Sequence, residues 1–383
     1  MAKSAAQPAR APAKIHALTS LRFFAALYVV CFHALSIASF LPSIRAESFL
    51  GRWIGLGYTS VSFFFLLSGY ILGIVYLRRG DPVAPRAFFW ARFARIYPLL
   101  FLSLVVDVPY FLVQELHAHG LRSAVSGTAS AFASCALLLQ AWTLRWRFLN
   151  EPTWSLSTEA IFYLSFPFLG AWCWKLRGVR LWATAAILYL GGQAVVMLAA
   201  QHSQGEMVKR LPLLHMTTFA LGILLARWQT LDRDEAGGGA RPQPGLAYLV
   251  LALILICSVA FVHWSPQIPI SNIQDGLLAP IFLCVIWVFS QSKWQPARLL
   301  SAPWLVILGE GSYGLYLIHV PVFHLFTWLG WDRIPALFPV YLAVSIGLSV
   351  ASFYWFETPA RRWILKGKRV HLKETMEIAS DAQ

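Results

Sequence analysis

The sequence predicts an all-α protein that forms a polytopic bundle of transmembrane helices. Only 13% of the 383 residues are charged and 58% are hydrophobic, whereas a soluble domain carries about 25% charged residues. Apolar runs of the length that a helix needs to cross a bilayer recur along the chain. The 17 tryptophans and 13 tyrosines fit the same class, because both side chains collect at membrane interfaces. This composition excludes an ordinary cytosolic enzyme, a disordered chain and a disulfide scaffold.

Eleven apolar runs are candidates for membrane spans. They cover residues 19–40, 55–77, 96–114, 124–142, 154–174, 181–200, 212–228, 245–263, 276–292, 305–326 and 336–356. The chain is therefore divided into a tail at 1–18, a membrane domain at 19–358 and a basic tail at 359–383.

The distribution of basic residues predicts how these runs are oriented. The N-terminal tail, the C-terminal tail and the connection at 78–95 are rich in arginine and lysine, which places them in the cytoplasm. If every run crosses the membrane in turn, the topology counted from the N-terminus and the topology counted from the C-terminus differ by one crossing. The run at 124–142 is the most polar candidate, so we interpret it as a re-entrant or outer-surface helix that packs against protein. About ten crossings remain, with both termini in the cytoplasm.

The net charge of +14 does not indicate nucleic-acid binding. The basic residues lie between apolar runs, as the positive-inside bias requires, and membrane lipids are the expected neighbours. The five cysteines lie in apolar runs and form no CxxC pair. His117 and His119 lack further ligands at metal-binding spacing, so no metal site is predicted.

Ionisable residues inside apolar runs are costly and mark candidate functional sites. Arg22 and His33 share the first run, and ten residues separate them, which corresponds to a rise of about 16 Å along a helix. Arg22 near the cytoplasmic end could instead snorkel to lipid phosphate. His33, in the outer half, could instead be a buried histidine whose hydrogen bonds are satisfied.

Further candidate residues lie in later parts of the chain, namely an arginine pair, a glutamate and a second histidine. Arg92 and Arg95 lie three residues apart on one helical face, where two guanidinium groups could bind phosphates, or could act only as topology anchors. Glu159 lies just inside the outer end of its run and must pair or stay protonated; a structural ion pair is the alternative. His319 is expected at a depth like that of His33, again with a structural role as the alternative.

Together these residues resemble the acyltransferase-3 family of integral-membrane O-acyltransferases, which act on bacterial surface or secreted glycans. The resemblance covers roughly residues 15–365. Its pieces, in family order, are Arg22 with His33, Ser68-Gly69-Tyr70, Arg92-Phe93-Ala94-Arg95-Ile96-Tyr97-Pro98, Trp154-Ser155-Leu156 with Glu159-Ala160-Ile161-Phe162-Tyr163, Ser312-Tyr313 with Tyr316-Leu317 and His319, and Phe356-Glu357-Thr358-Pro359. Because the chain stops soon after its last apolar run, it resembles the stand-alone members without a C-terminal hydrolase-like domain.

The resemblance implies a multi-pass enzyme of the bacterial inner membrane. It implies acyl-CoA as the donor, with acetyl-CoA as the expected form and succinyl as an alternative acyl group. The acceptor would be a glycan or a lipid-linked saccharide. The expected site residues are His33, Glu159 and His319 as catalytic residues, Arg22, Arg92 and Arg95 as CoA-binding residues, and Trp154, Ser155, Tyr163, Ser312 and Tyr313 as substrate-binding residues.

Two chemical routes remain open from the residues alone. His33 could act as the general base on the acceptor hydroxyl, with Glu159 or another group orienting the imidazole. Alternatively, His33 could become transiently acylated. A proton-coupled membrane transporter is the rival from another class, because intramembrane histidine and glutamate suit a proton relay. That rival predicts inverted repeats with broken helices, which the sequence does not display.

Overall fold

The computed structural model describes residues 15–36, 40–78, 83–142, 149–202, 208–235, 244–268, 270–291 and 294–366. Over these residues the chain is helical, and none of them forms a β-strand. The all-α prediction is confirmed. Residues 1–14 and 367–383, which make up most of the two predicted tails, lie outside the described residues, as do residues 236–243.

The principal helices follow the predicted apolar runs. In chain order they are α1 (His16–Ser36), α2 (Phe49–Gly55), α3 (Ser60–Leu72), α4 (Pro85–Ala136), α5 (Trp154–Trp174), α6 (Gly178–His202), α7 (Met216–Glu235), α8 (Pro244–Trp264), α9 (Ala279–Phe289), α10 (Gln295–Leu300), α11 (Pro303–Glu310), α12 (Ser312–Trp328), α13 (Phe338–Ser352) and α14 (Thr358–Lys366). We call the end of the bundle at which α1 and α4 begin the basic end.

Within the described residues, six helical stretches are long and apolar enough to cross a membrane. They are His16–Ser36, Phe49–Leu77, Pro85–Ala136, Gly178–His202, Gly245–Gln267 and Pro335–Lys366. A seventh is reached if α11 and α12, which meet at an angle of 58°, count as one span. The polytopic membrane fold is therefore confirmed, and the number of about ten crossings stays a prediction.

The run at 124–142 forms the second part of a broken helix. α4 is interrupted at Gly120, where φ is 76° and ψ is 169°, a backbone conformation that glycine adopts at little cost. Beyond this break the chain turns back, because the ring of Phe132 packs against that of Phe101 with 5.7 Å between centroids. The segment therefore folds back onto the bundle, and its depth in the bilayer stays a prediction.

The loop between α4 and α5 docks onto α12 at a proline. Pro321 has no N–H, so the carbonyl of Leu317 lacks its usual helical partner. The side chain of Asn150, which is fully buried, donates a hydrogen bond of 2.8 Å to that carbonyl. This contact holds the start of α5 beside the part of α12 that contains His319.

α3 and α7 approach so closely that only glycine fits between their backbones. A Cβ atom on Gly222 would lie 2.1 Å from the carbonyl oxygen of Leu66, and one on Gly69 would lie 2.1 Å from that of Phe219. Small residues permit such contacts between transmembrane helices, where dispersion forces replace the hydrophobic effect. The pair forms part of the wall against which the site helices pack.

Gly222→Ala is therefore expected to destabilise the protein by about 1–3 kcal/mol, the usual cost of over-packing. In an open helical position the same change would stabilise by about 1 kcal/mol. Gly191→Ala is the matched control, because no atom lies within 4 Å of the added Cβ. Thermal unfolding of the two purified variants in detergent tests this. Equal stability would contradict the close contact between α3 and α7.

A buried imidazole–carboxylate pair ties the segment before α7 to an interruption before α9. His215 and Asp275 have fully buried side chains, with 2.9 Å between Nδ1 and Oδ1. The other imidazole nitrogen, Nε2, lies 3.1 Å from the carbonyl oxygen of Lys209. The helix at 273–277 is broken at Gly276, where φ is 95°. The pair therefore fixes two irregular segments against each other.

Candidate active site

A cavity with about 1250 Å³ of empty space, its mouth included, opens between the site helices. Side chains of α1, α3, α4, α5, α12 and α14 form its wall. Apolar residues such as Leu18, Phe64 and Ile71 make up much of the lining. An apolar cleft with a few convergent polar groups is the usual form of a small-molecule site.

Four arginines line this cavity: Arg22, Arg92, Arg95 and Arg361. Glu159 is the only carboxylate among the lining residues, so the lining carries an excess of positive charge. Glu159 and Glu310 lie within electrostatic range of Arg22. The arrangement suits a ligand with several negative charges, because guanidinium groups bind phosphate oxygens through paired hydrogen bonds.

Arg92 is held in place by aromatic side chains. Its guanidinium carbon lies 5.8 Å from the ring centroids of both Tyr76 and Tyr163, and 6.0 Å from that of Phe88. Its Nη2 atom also lies 3.5 Å from the Tyr76 hydroxyl oxygen. Its Nε atom is buried and has no hydrogen-bond partner among the described residues. Arg92 therefore keeps donor capacity that a bound anion could use.

Glu159 belongs to the arginine part of the cavity. Its Oε1 atom accepts hydrogen bonds from Tyr163, one helical turn later on α5, at 2.5 Å, and from Ser68 on α3 at 3.3 Å. Neither histidine of the predicted site is among its described contacts. The expectation that Glu159 could orient the imidazole of His33 is thus not supported, because tertiary packing brings a different residue to that ring.

The residue that contacts His33 is His319. Their rings are nearly parallel, and His33 Nδ1 lies 2.9 Å from His319 Nε2. His319 Nδ1 in turn lies 3.0 Å from the carbonyl oxygen of Leu315. That carbonyl can only accept, so we assign the proton of neutral His319 to Nδ1, which leaves Nε2 to accept from His33 Nδ1. His33 Nε2 then carries a lone pair that is available as a base.

The cavity ends just short of these two histidines. Tyr316 and Ser155 both line the cavity, and their hydroxyl oxygens lie 2.8 Å apart. The Tyr316 ring also lies 6.4 Å, between centroids, from the imidazole of His319. Tyr316 thus joins the wall of the arginine-lined cavity to the histidine pair.

Most of the predicted site residues lie on one cavity. Its lining includes Arg22, Arg92, Arg95, Ser155, Glu159, Tyr163, Ser312 and Tyr313. The hydroxyl of Tyr313 donates to the carbonyl of Ile96 at 2.7 Å, which joins α12 to α4. Trp154 is not part of the lining; its ring packs against Phe65 and His215.

Sequence reasoning missed Arg361 as a site residue. It belongs to α14 at the start of the predicted basic tail, yet it lines the cavity. Leu365, four residues later, is buried against Ala94 of α4. A leucine one turn after an arginine, within the apolar run Trp363-Ile364-Leu365, is the sequence signal that could have indicated an amphipathic helix packed on the bundle. Among the described residues, no group of three or more potential ligands is placed to hold a metal ion.

The comparisons with known proteins agree on a family. The family model described as an acyltransferase domain matches residues 15–354. The acyltransferase MdmB of Streptomyces mycarofaciens is 30% identical over 327 residues, which cover 81% of this chain and 79% of that protein. Nodulation protein 10 of Rhizobium leguminosarum bv. viciae is 25% identical over 365 residues, or 89% of this chain and 92% of that protein.

A further relative is longer. The peptidoglycan O-acetyltransferase OatA of Listeria monocytogenes is 25% identical over 362 residues, which cover 81% of this chain but only 52% of that protein. No solved structure matches the chain. The matched residues contain the arginine cavity except Arg361, together with the histidine pair and the predicted motifs up to His319. The chain belongs to the acyltransferase-3 family of membrane acyltransferases.

Proposed function

We propose that this protein is an O-acyltransferase that moves an acyl group, in the first instance acetyl, from cytoplasmic acyl-CoA to a hydroxyl of an envelope or exported glycan. The observation that carries the proposal is the pairing of an arginine-lined cavity with a histidine pair at its far end. The name of OatA supports a glycan acceptor. The protein would lie in the bacterial inner membrane with both termini in the cytoplasm, as the basic connections predict.

The arginines at the basic end would bind the phosphates of the donor. Arg22 and His33 belong to one helix, and their separation of about 16 Å is comparable to the reach of a pantetheine arm. The nucleotide could therefore stay near Arg92, Arg95 and Arg361 while the thioester extends toward the histidines. Tyr316 and Ser155 both line the cavity and share a hydrogen bond, and we expect that bond to open when the thioester reaches the histidines.

The histidine pair supports the general-base route. The lone pair on His33 Nε2 would accept the proton of the acceptor hydroxyl while its oxygen attacks the thioester carbonyl carbon. The carbon–sulfur bond then breaks, and the leaving thiolate takes the proton back from His33. His319 keeps the imidazole of His33 in the required orientation and tautomer through the Nδ1 contact. Glu159 would balance the charge of the arginines and take no part in proton transfer.

The proposal is tested with deuterium-labelled acetyl-CoA and membranes that contain the protein. We expect label to appear as an ester in the glycan fraction, measured by mass spectrometry, together with release of free CoA. Succinyl-CoA in the same assay compares the acyl groups. If membranes with the protein release no more CoA and acquire no more label than membranes without it, the proposed reaction is wrong.

Arg92→Lys is expected to weaken donor binding. Lysine keeps the charge but loses the planar fork that grips phosphate through two bonds. A charge-assisted hydrogen bond contributes about 1.5–3 kcal/mol, so the KM for acetyl-CoA should rise roughly 10–100-fold. Excess acetyl-CoA should restore the rate in part.

Arg78→Lys is the matched control for that variant. Arg78 also lies near the basic end, but its side chain is exposed and outside the cavity lining. Steady-state kinetics in detergent measure both variants. An unchanged KM in an Arg92→Ala, Arg95→Ala double variant would contradict the donor site and leave these arginines as topology anchors.

A further inference from the structure

A second polar cluster lies between α4 and α12, outside the cavity lining. Asp107 on α4 is buried, and its Oδ1 atom lies 2.5 Å from Nδ1 of His324 on α12. His324 follows His319 by five residues, which corresponds to about 7.5 Å along the helix, away from the basic end. The cluster therefore lies on the side of the histidine pair opposite the arginines.

Aromatic rings lie beside this pair. The ring of Tyr110, three residues after Asp107, stacks on the imidazole of His324 with 3.8 Å between centroids and 8° between planes. Trp328, four residues after His324, lies 6.3 Å from Tyr110 between ring centroids and is more than half exposed. These spacings place Asp107 and Tyr110 on one face of α4, and His324 and Trp328 on one face of α12. The cluster thus combines the polar edge of an imidazole with the flat apolar faces of aromatic rings.

The pair has unused hydrogen-bonding capacity. Asp107 is fully buried, yet its Oδ2 atom has no hydrogen-bond partner among the described residues. Because Asp107 accepts the proton on Nδ1 of His324, Nε2 of a neutral imidazole is left with a lone pair. The His324 side chain is 18% exposed, so a ligand can reach one edge of the ring. A purely structural tether between α4 and α12 needs neither feature.

The geometry points to a subsite for the acceptor, formed by Asp107, His324 and Tyr110, that binds a hydroxyl-bearing saccharide ring. Such a ring has an apolar C–H face, which packs on an aromatic side chain, and hydroxyl groups that donate to an imidazole nitrogen. The buried Asp107 carboxylate holds the His324 imidazole in the tautomer that can accept. A ring held here would lie beside the His33–His319 pair on the side that the donor does not occupy. The inference rests on the proposed function, since it assigns the second substrate of that reaction.

The test compares transfer with donor cleavage in detergent-permeabilised membranes that contain the resident acceptor. Deuterium-labelled acetyl-CoA supplies the donor; label in the glycan fraction reports transfer, and free CoA reports cleavage. In Asp107→Asn and in an Asp107→Leu, His324→Phe double variant, transfer should fall roughly 10-fold or more. The KM for acetyl-CoA should stay unchanged, and the released CoA should exceed the label transferred.

Two controls separate binding from folding. The double variant replaces the buried pair by apolar side chains, an exchange that is often neutral for stability, and its thermal unfolding is measured in parallel. Tyr110→Ala removes the stacked ring and should lose transfer, whereas His117→Ala, at an exposed position of the same helix, should transfer as wild type does.

Normal transfer by the double variant would overturn the subsite and leave the pair as a tether. A raised KM for acetyl-CoA in these variants would also overturn it, because the cluster would then act on the donor. Failure of the proposed function looks different, since the wild-type protein itself would then release no CoA.

Discussion

Replacing His33 with alanine is expected to reduce acyl transfer roughly 10²–10⁴-fold, the usual effect of removing a general base. The change removes the only nitrogen of the histidine pair that carries a free lone pair, while His319 keeps its bond to the carbonyl of Leu315. Mass spectrometry of the surface polysaccharide from cells with each variant measures the effect. Excess acetyl-CoA should give no rescue, in contrast to Arg92→Lys.

His117→Ala is the matched control for His33→Ala. His117 lies on the exposed part of α4 before Gly120, so acylation should match wild type. The His33→Ala protein should still fold and accumulate, because no buried charge is left; His319 Nε2 loses its donor, which costs about 1–3 kcal/mol at most. Wild-type acylation by His33→Ala would refute both the general-base and the acyl-histidine routes. An acyl group trapped on His33 would favour the second route.

His319→Gln tests the orienting role separately. An amide can still accept from His33 Nδ1, but it does not reproduce the bond from the His319 ring to Leu315. We expect a fall in kcat that is smaller than in His33→Ala, with an unchanged KM for acetyl-CoA. A variant with wild-type kcat would show that His33 needs no imidazole partner.

Asp275→Ala is expected to destabilise the protein by about 1–3 kcal/mol, because it leaves a nitrogen of the buried His215 imidazole without its partner. His215 would keep its contact with the carbonyl of Lys209 but lose the carboxylate 2.9 Å from Nδ1. The interruption at Gly276 would then lose its link to the segment before α7. Thermal unfolding in detergent, followed by size-exclusion chromatography, measures the effect.

Glu47→Ala is the control for Asp275→Ala. Glu47 is an exposed carboxylate in the loop before α2, and a surface change of this kind usually stays within about 0.5 kcal/mol. The fraction of Asp275→Ala protein that remains folded should still transfer acyl groups, because neither Asp275 nor His215 lines the cavity. Equal stability of the two variants would show that the buried pair contributes nothing to the fold.

The parts of the site that lie on one helix could be predicted from the sequence. Helical geometry places Arg92 and Arg95 on one face, and both do line the cavity. The same geometry separates Arg22 from His33 by about 16 Å, and Arg22 lies on the cavity wall while His33 lies beyond its end. The relative positions of two residues on one helix depend only on the regular backbone of that helix, and the apolar runs already predicted the helices.

The sequence by itself thus determined the class of the protein and indicated candidate residues for its site. A composition too poor in charge for a soluble particle requires a membrane fold, and costly ionisable residues within apolar runs indicate a site. Their partners were decided by tertiary structure. His33 and His319 are 286 positions apart, and nothing in either segment indicates that their imidazoles meet. The sequence also does not indicate that Ser68 of α3 donates to Glu159, or that Arg361 lines the cavity. Helical periodicity fixes which face a residue occupies, whereas the partner on that face depends on how α1, α5, α12 and α14 pack, a long-range property of the whole bundle.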